Sequence, residues 1–196
     1  MVNNKTIKIV FATGNKHKLS EINAISKGSG IEFTLPPSEF NPIEDGNTFE
    51  QNSYIKAKEA AKLSKCISLA DDSGLCVEAL GGAPGIHSAR YAATQEDRIT
   101  KLLSNLAPYG NRKAKFVCAM TLVDEFGNIL DKEIGECYGA IAKSQSGTHG
   151  FGYDPIFLVD GYGITMADMS EELKNTISHR SIALNKMITY IKNTLM

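Results

Sequence analysis

Hydrophobic and polar positions change period repeatedly along this chain, and each change predicts an element. Ile7-Lys8-Ile9-Val10-Phe11-Ala12 is β-branched and apolar, which predicts a strand that Thr13-Gly14-Asn15 stops. Leu19, Ile22 and Ile25 then fall on one face of a helix, with Lys16, Lys18, Glu21 and Lys27 off it, and Gly28-Ser29-Gly30 ends it. Residues 31–35 read as a second strand, and Pro36 to Pro42 as extended loop. A helix over about 49–64 follows, capped by Thr48 or Asn47, since Thr48 with Gln51 and Asn47 with Glu50 both have capping-box spacing. Phe49, Ala57, Ala60 and Ala61 give it a narrow stripe of mostly small residues, and Asn52 and Lys56 share one face.

Ile67-Ser68-Leu69-Ala70 reads as a buried strand that ends at Asp71-Asp72-Ser73-Gly74. A helix opens at Thr94, with Ile99, Leu102, Leu103 and Leu106 facing a core. Residues 114–123 and 129–142 form a hairpin around Phe126-Gly127-Asn128, the first run apolar on both faces and the second partly exposed. Residues 156–159 are a short strand, Ser170 caps a short helix, and the last helix starts at Ser178-His179-Arg180-Ser181.

Two adjacent carboxylates are costly to bury unless cations meet them. Asp71 and Asp72 are therefore expected at a strand end, facing a cation or water, the plain alternative being a solvated turn. Cationic material is available. Lys18, Lys56, Lys174, His179 and Arg180 all lie at or near loop-to-helix junctions. His179 and Arg180 occupy a first helical turn, where the dipole disfavours cations, so an anion is expected nearby. A strand, a glycine-bearing turn and a helix N-terminus at 13–18 can receive phosphate on free N–H groups. A triphosphate carries about four negative charges and needs cations and a metal to screen them. Glu44 with one of the two aspartates suits Mg²⁺, which takes one or two carboxylates and fills its shell with phosphate and water. The residues leave open which aspartate is the closer ligand. Phe151-Gly152-Tyr153-Asp154 suits a flat ring, the alternative being that both aromatics belong to the core.

Composition narrows the classes. A net charge of −1 over 196 residues argues against nucleic-acid binding through bulk positive charge. The four cysteines match no zinc pattern and suit a reduced, intracellular protein. No apolar run approaches the ~20 residues of a membrane span. Lys5 and Lys8 precede only a short apolar run, so no signal peptide is expected. One domain over 1–196 is expected.

Six segments together resemble the inosine triphosphate pyrophosphatase family, the Ham1-like non-canonical purine NTP pyrophosphatases. They are Thr13-Gly14-Asn15-Lys16-His17-Lys18, Thr48-Phe49-Glu50-Gln51-Asn52 with Lys56-Ala57, Ala70-Asp71-Asp72-Ser73-Gly74-Leu75, Gly81-Gly82-Ala83-Pro84-Gly85, Phe151-Gly152-Tyr153-Asp154-Pro155 and Ser178-His179-Arg180. They occur in the family's order across nearly the whole chain. Gln51 and Ser53 depart from the family's Glu-Asn-Ala segment without removing a charge assigned to chemistry.

The resemblance implies an α/β fold: a long curved mixed sheet flanked by helices, in two lobes with an active-site cleft between them. It implies a cytoplasmic, magnesium-dependent homodimer that hydrolyses ITP, dITP and XTP to the monophosphate and pyrophosphate. Carried over by position, Thr13, Gly14, Asn15, Lys16, His17, Lys18 and Lys56 hold phosphate. Glu44 and Asp72 hold Mg²⁺, Asp72 is also the general base, and Ser73 lies beside it. Phe151, Gly152, Tyr153 and Asp154 stack on and border the purine, while Lys174, His179 and Arg180 read its 6-oxo edge and hold the nucleotide. Three rivals stand beside this reading: a nucleotide-binding module without catalysis, an RNA-binding domain using the same basic loops, against which the balanced charge speaks, and a Maf-type pyrophosphatase acting on other non-canonical nucleotides.

Overall fold

Strand alternation organises the first part of the chain. In a computed structural model that describes residues 6–196, β1 (Ile7–Phe11) sends Ile9 and Phe11 into one apolar cluster, while Val10 and the following Ala12 enter another. Lys5, used above against a signal peptide, lies outside the described residues. β1 pairs in parallel with β2 (Ile31–Thr34) and with β3 (Ser68–Val77). The helix α1 (Lys16–Ile25) makes the crossover from β1 to β2, as a parallel pair requires. β4 (Lys113–Val123) and β5 (Ile129–Ile141) form the expected hairpin, and β6 (Phe157–Val159) runs antiparallel to β5. The six strands form one mixed sheet in the order β2-β1-β3-β4-β5-β6. Among the described residues the other α-helices are α2 (Phe49–Ser64), α3 (Gln95–Leu106), α4 (Glu171–Ile177) and α5 (His179–Thr194).

The chain divides into two compact units. The first comprises the described residues up to Asp72, Cys118–Gly135 and Arg180–Met196; the second comprises Ser73–Val117 and Glu136–His179. β3, β4 and β5 each contribute residues to both.

In the first unit, Ile22 of α1 and Leu184, Met187 and Ile191 of α5 bury against Ile9, Phe11 and Leu69. The opposite face takes α2, whose Ala57, Ala60 and Ala61 meet Val10, Ala12 and Ala70. Small residues on both sides let the α2 backbone approach the sheet closely. In the second unit, Ile99, Leu102 and Leu106 of α3 bury with Leu75, Val77, Phe116 and Phe157.

Two expectations need correction. Thr48 is the cap of α2, its hydroxyl accepting the Gln51 N–H at 3.1 Å, but the Gln51 side chain reaches back to the Asn47 N–H at 2.7 Å rather than to Thr48. And β3 does not stop at Ala70: it runs on to Val77, which puts Asp71 and Asp72 inside a strand.

Gly139 sets the closeness of the β5–β6 pairing within the second unit. A Cβ there would lie 2.1 Å from the Leu158 carbonyl oxygen and 2.8 Å from the Phe157 ring. Gly139→Ala is expected to destabilise the fold by roughly 1–3 kcal/mol, the usual cost of overpacking. Urea denaturation measures this, and an unchanged midpoint would contradict it.

Candidate active site

The same alternation separates the two aspartates. Leu69 faces the α1 and α5 side of the sheet and Ala70 faces the α2 side. Continuing the period-2 pattern, Asp71 belongs with Leu69 and Asp72 with Ala70. Their partners follow suit. Asp71, 1 % exposed, accepts from the Lys18 ammonium of α1 at 3.0 Å and from Arg180 of α5 at 3.2 Å (Nη2) and 3.4 Å (Nε). Arg180 also donates through Nη1 to Glu21 of α1. Asp72, 8 % exposed, accepts from Lys56 Nζ at 3.2 Å and Asn52 Nδ2 at 3.2 Å, both on α2. Lys56 Nζ donates as well to Glu44 at 2.9 Å. The strand-end expectation fails because these cations make burial of both acids tolerable inside the strand.

The two carboxyls differ electrostatically. Burial pushes Asp71 up, but Lys18, then Arg180 and Lys56, more than offset it and hold the group well below the usual carboxylate range. Burial likewise pushes Asp72 up; there Lys56 and Lys18 do not fully compensate, the charge of Asp71 adds to the rise, and its pKa lies above the ordinary value. Burial disfavours the charged form of Lys56, but Asp72, Asp71 and Glu44 outweigh it and raise its pKa. Arg180, only 2 % exposed, is kept charged against burial by Asp71 and Glu21.

This arrangement bears on metal binding. Both oxygens of Asp71 are taken by cationic side chains. Glu44 and Asp72 converge on a single ammonium, so the two carboxylates already address one positive charge. Among the described residues no group of three or more His, Cys, Asp or Glu side chains could form an all-protein cage. A pair of carboxylates fits a hard divalent ion that takes its other ligands from phosphate and water. Asp72 is thus the better placed of the two aspartates.

The turn at 13–18 is pre-shaped. Asn15 caps α1, its Oδ1 accepting from His17 N at 2.9 Å and Lys18 N at 3.3 Å, and the Thr13 hydroxyl accepts from Asn15 N at 3.0 Å. Fewer N–H groups are therefore open to an anion than a bare helix start would offer. Gly14, Lys16 and His17 are exposed.

The remaining expected residues lie in the second unit. Ser73 is half-buried in β3. Lys174 donates to Asp154 at 2.8 Å, and its ammonium stands 5.0 Å from the centroid of the half-buried Phe151 ring. Gly152 N–H donates to Gln95 at 2.8 Å. His179 stacks on Phe116 with centroids 4.8 Å apart. Tyr153 departs from its expected place against a purine: it is buried in the core cluster and its hydroxyl donates to the Ser88 carbonyl at 3.0 Å. Burial pushes that phenol up to about 12.

Two residues escaped the sequence reading. The sequence puts Asn52 on one helix face with Lys56, four residues away, and that spacing is the signal for its bond to Asp72. Glu21 reads in the sequence as a polar position off the apolar stripe of α1, and its spacing of three from Lys18 puts both on one side of that helix, where it meets Arg180.

A sequence model of the Ham1 family matches residues 9–190. A dITP/XTP pyrophosphatase of Prochlorococcus marinus (strain NATL1A) is 44% identical over 189 residues, covering 96% of this chain and 96% of its own. One from Treponema denticola is 43% identical over 198 residues, covering 96% of this chain and all (100%) of its own. Among solved structures, a HAM1 protein from Coxiella burnetii superposes with a TM-score of 0.87 at 39% identity, over 96% of this chain and 100% of that one. The Staphylococcus aureus Ham1 protein gives 0.85 at 38%, over 95% and 98%.

Asp71→Ala would leave the Arg180 guanidinium buried without its aspartate. Breaking one side of a buried pair costs roughly 3–5 kcal/mol. A drop of that size in unfolding free energy is expected from denaturant titration; a change under about 0.5 kcal/mol, as at ordinary surface sites, would contradict it.

Proposed function

The chain belongs to the Ham1 family, and from that premise we propose that it hydrolyses the non-canonical purine nucleotides ITP, dITP and XTP to the monophosphate and pyrophosphate, cleansing the nucleotide pool. The observation that carries this reading is the Asp72 carboxylate. It is held in place by Lys56 and Asn52, has its pKa raised by burial, and shares the Lys56 ammonium with Glu44. A passive phosphate binder has no use for carboxylates there, since they repel phosphate.

Water is a poor nucleophile toward an anionic phosphorus. Asp72 acts as general base, taking the proton of the attacking water, and a carboxylate with a raised pKa is a stronger base than an ordinary one. Nucleotide pyrophosphatases typically need a divalent metal; here Mg²⁺ would be held by Glu44 and Asp72, and when bound it draws charge from phosphate oxygens and lowers the pKa of bound water. Lys56 and Lys18 stabilise the charge that builds on the departing pyrophosphate. Asp71 holds the Lys18 ammonium at 3.0 Å. The turn Thr13 to Lys18 contributes its remaining N–H groups and Lys16 to the phosphates. Attack at the α-phosphorus follows the family resemblance.

For the base, Phe151 offers a ring and Lys174 a cationic donor. A donor aimed at C6 accepts the oxo group of hypoxanthine or xanthine and is mismatched against the amino group of adenine, a discrimination that unpaired polar groups can make large. The resemblance puts Arg180 at that edge; here Nε, Nη1 and Nη2 all donate to carboxylates, so Arg180 acts as an anchor. His179, the residue before Arg180, is stacked on Phe116.

The match from residue 9 to 190 supports a single family domain over the chain. A cytoplasmic homodimer belongs to the same reading, on the strength of the resemblance. Among the described residues no helix is long and apolar enough to cross a membrane.

A survey of nucleoside triphosphates with Mg²⁺, reading released pyrophosphate, tests the proposal. ITP and XTP are expected to release it at least tenfold faster than ATP, UTP or CTP, and Asp72→Asn is expected to lose about 10²-fold or more of the ITP rate, the scale of general-base loss, with an unchanged melting temperature. No release under any divalent metal would favour the binding module. Preference for pyrimidine triphosphates would favour a Maf-type enzyme.

A further inference from the structure

One neutral side chain joins the two acids that share Lys56. Asn52 of α2 is 1 % exposed, and both ends of its amide are engaged. Its Oδ1 accepts the Gly46 backbone N–H at 2.9 Å, and its Nδ2 donates to Asp72 Oδ2 at 3.2 Å. A backbone N–H can only donate, so the amide oxygen must face Gly46 and the NH₂ group must face Asp72. Gly46 lies two residues after Glu44. The amide therefore ties the segment that carries Glu44 to the carboxylate of Asp72.

Neighbouring contacts hold that tie in place. Ser53, the next residue, is buried, and its hydroxyl lies 2.7 Å from that of Thr121 in β4, which pins this turn of α2 to the sheet. Gln51, the residue before, receives the Asn47 N–H at 2.7 Å. Gly46 leaves no room for a side chain: a Cβ there would fall 2.7 Å from Asn52 Oδ1 and 2.8 Å from Gln51 Cβ. Lys56 also spans Glu44 and Asp72, but through its charge. A divalent ion at the two carboxylates would repel that ammonium. A neutral amide carries no charge to be repelled.

We propose that Asn52 is a positioning residue: it sets the spacing between Glu44 and Asp72, so that the pair is preformed for a divalent cation without relying on Lys56. The inference rests on the reading of Glu44 and Asp72 as the carboxylates that hold the metal.

Two variants break the tie and leave both carboxylates intact. Asn52→Leu keeps similar bulk and removes both hydrogen bonds. Gly46→Ala keeps the amide and pushes the loop off α2. Mn²⁺ affinity is read by electron paramagnetic resonance with inorganic pyrophosphate present, which requires neither turnover nor a purine. Each variant that folds is expected to weaken Mn²⁺ at least tenfold, the scale of losing a group that orients a metal ligand. In a Glu44→Gln background the same substitutions are expected to cost less than threefold, because the ligand whose spacing they disturb is already gone. A merely structural role would weaken Mn²⁺ equally in both backgrounds, and that result would overturn the assignment. So would Mn²⁺ affinity within twofold of the parent in the folded variants, or a parent protein that binds no Mn²⁺. A parent that binds Mn²⁺ with pyrophosphate but releases none from ITP would sink the proposed reaction while leaving the role of Asn52 standing.

Discussion

Everything in the first unit depends on the fact that neighbouring side chains of a strand point to opposite faces. Asp71 and Asp72 are adjacent in sequence, yet each is answered by a different helix: Asp71 by α1 and α5, Asp72 by α2. Two buried like charges on one face would repel, and one would be driven to protonate. On opposite faces each can have its own cations. The division also separates the tasks. Asp71 is saturated and deeply ionised, which suits a fixed counter-charge. Asp72 has an elevated pKa and shares its cation with Glu44, which suits proton transfer and metal binding.

The start of α5 shows the same economy. Cations in a first helical turn oppose the dipole. Here Arg180 is matched to Asp71 and Glu21, and His179 lies flat on Phe116. The unfavourable placement is tolerated because the acids are brought to it by β3 and α1, two elements that the apolar cluster of Ile9, Ile22, Leu69 and Leu184 packs against α5. Packing thus fixes the charges, and the charges in turn let polar side chains occupy positions that apolar ones would otherwise hold.

Much of this was legible in the sequence. The helices, their caps at Thr48, Thr94 and Ser170, and the hairpin around Gly127 follow from short-range rules. The extent of β3 did not, because an Asp-Asp-Ser-Gly run has turn chemistry and nothing local announces the cations that would let it stay extended. Those cations come from Lys18, Lys56 and Arg180, up to 109 positions away. Tyr153 stays open in the sequence for a related reason: an aromatic next to a glycine loop looks the same whether it meets a ligand or the core, and its hydrogen bond to Ser88 comes from 65 positions away. Asn52 and Glu21 were hidden because an uncharged amide and a helix-surface glutamate carry no chemistry until their partners are known.

The most direct test of the division between the two aspartates is a Mn²⁺ titration by electron paramagnetic resonance, with a non-hydrolysable ITP analogue present, on Asp71→Asn and Asp72→Asn. The expected result is that Asp72→Asn weakens metal affinity at least tenfold while folded Asp71→Asn keeps it within about threefold. Equal loss in both, or loss in Asp71→Asn alone, would contradict the account of two faces with two roles.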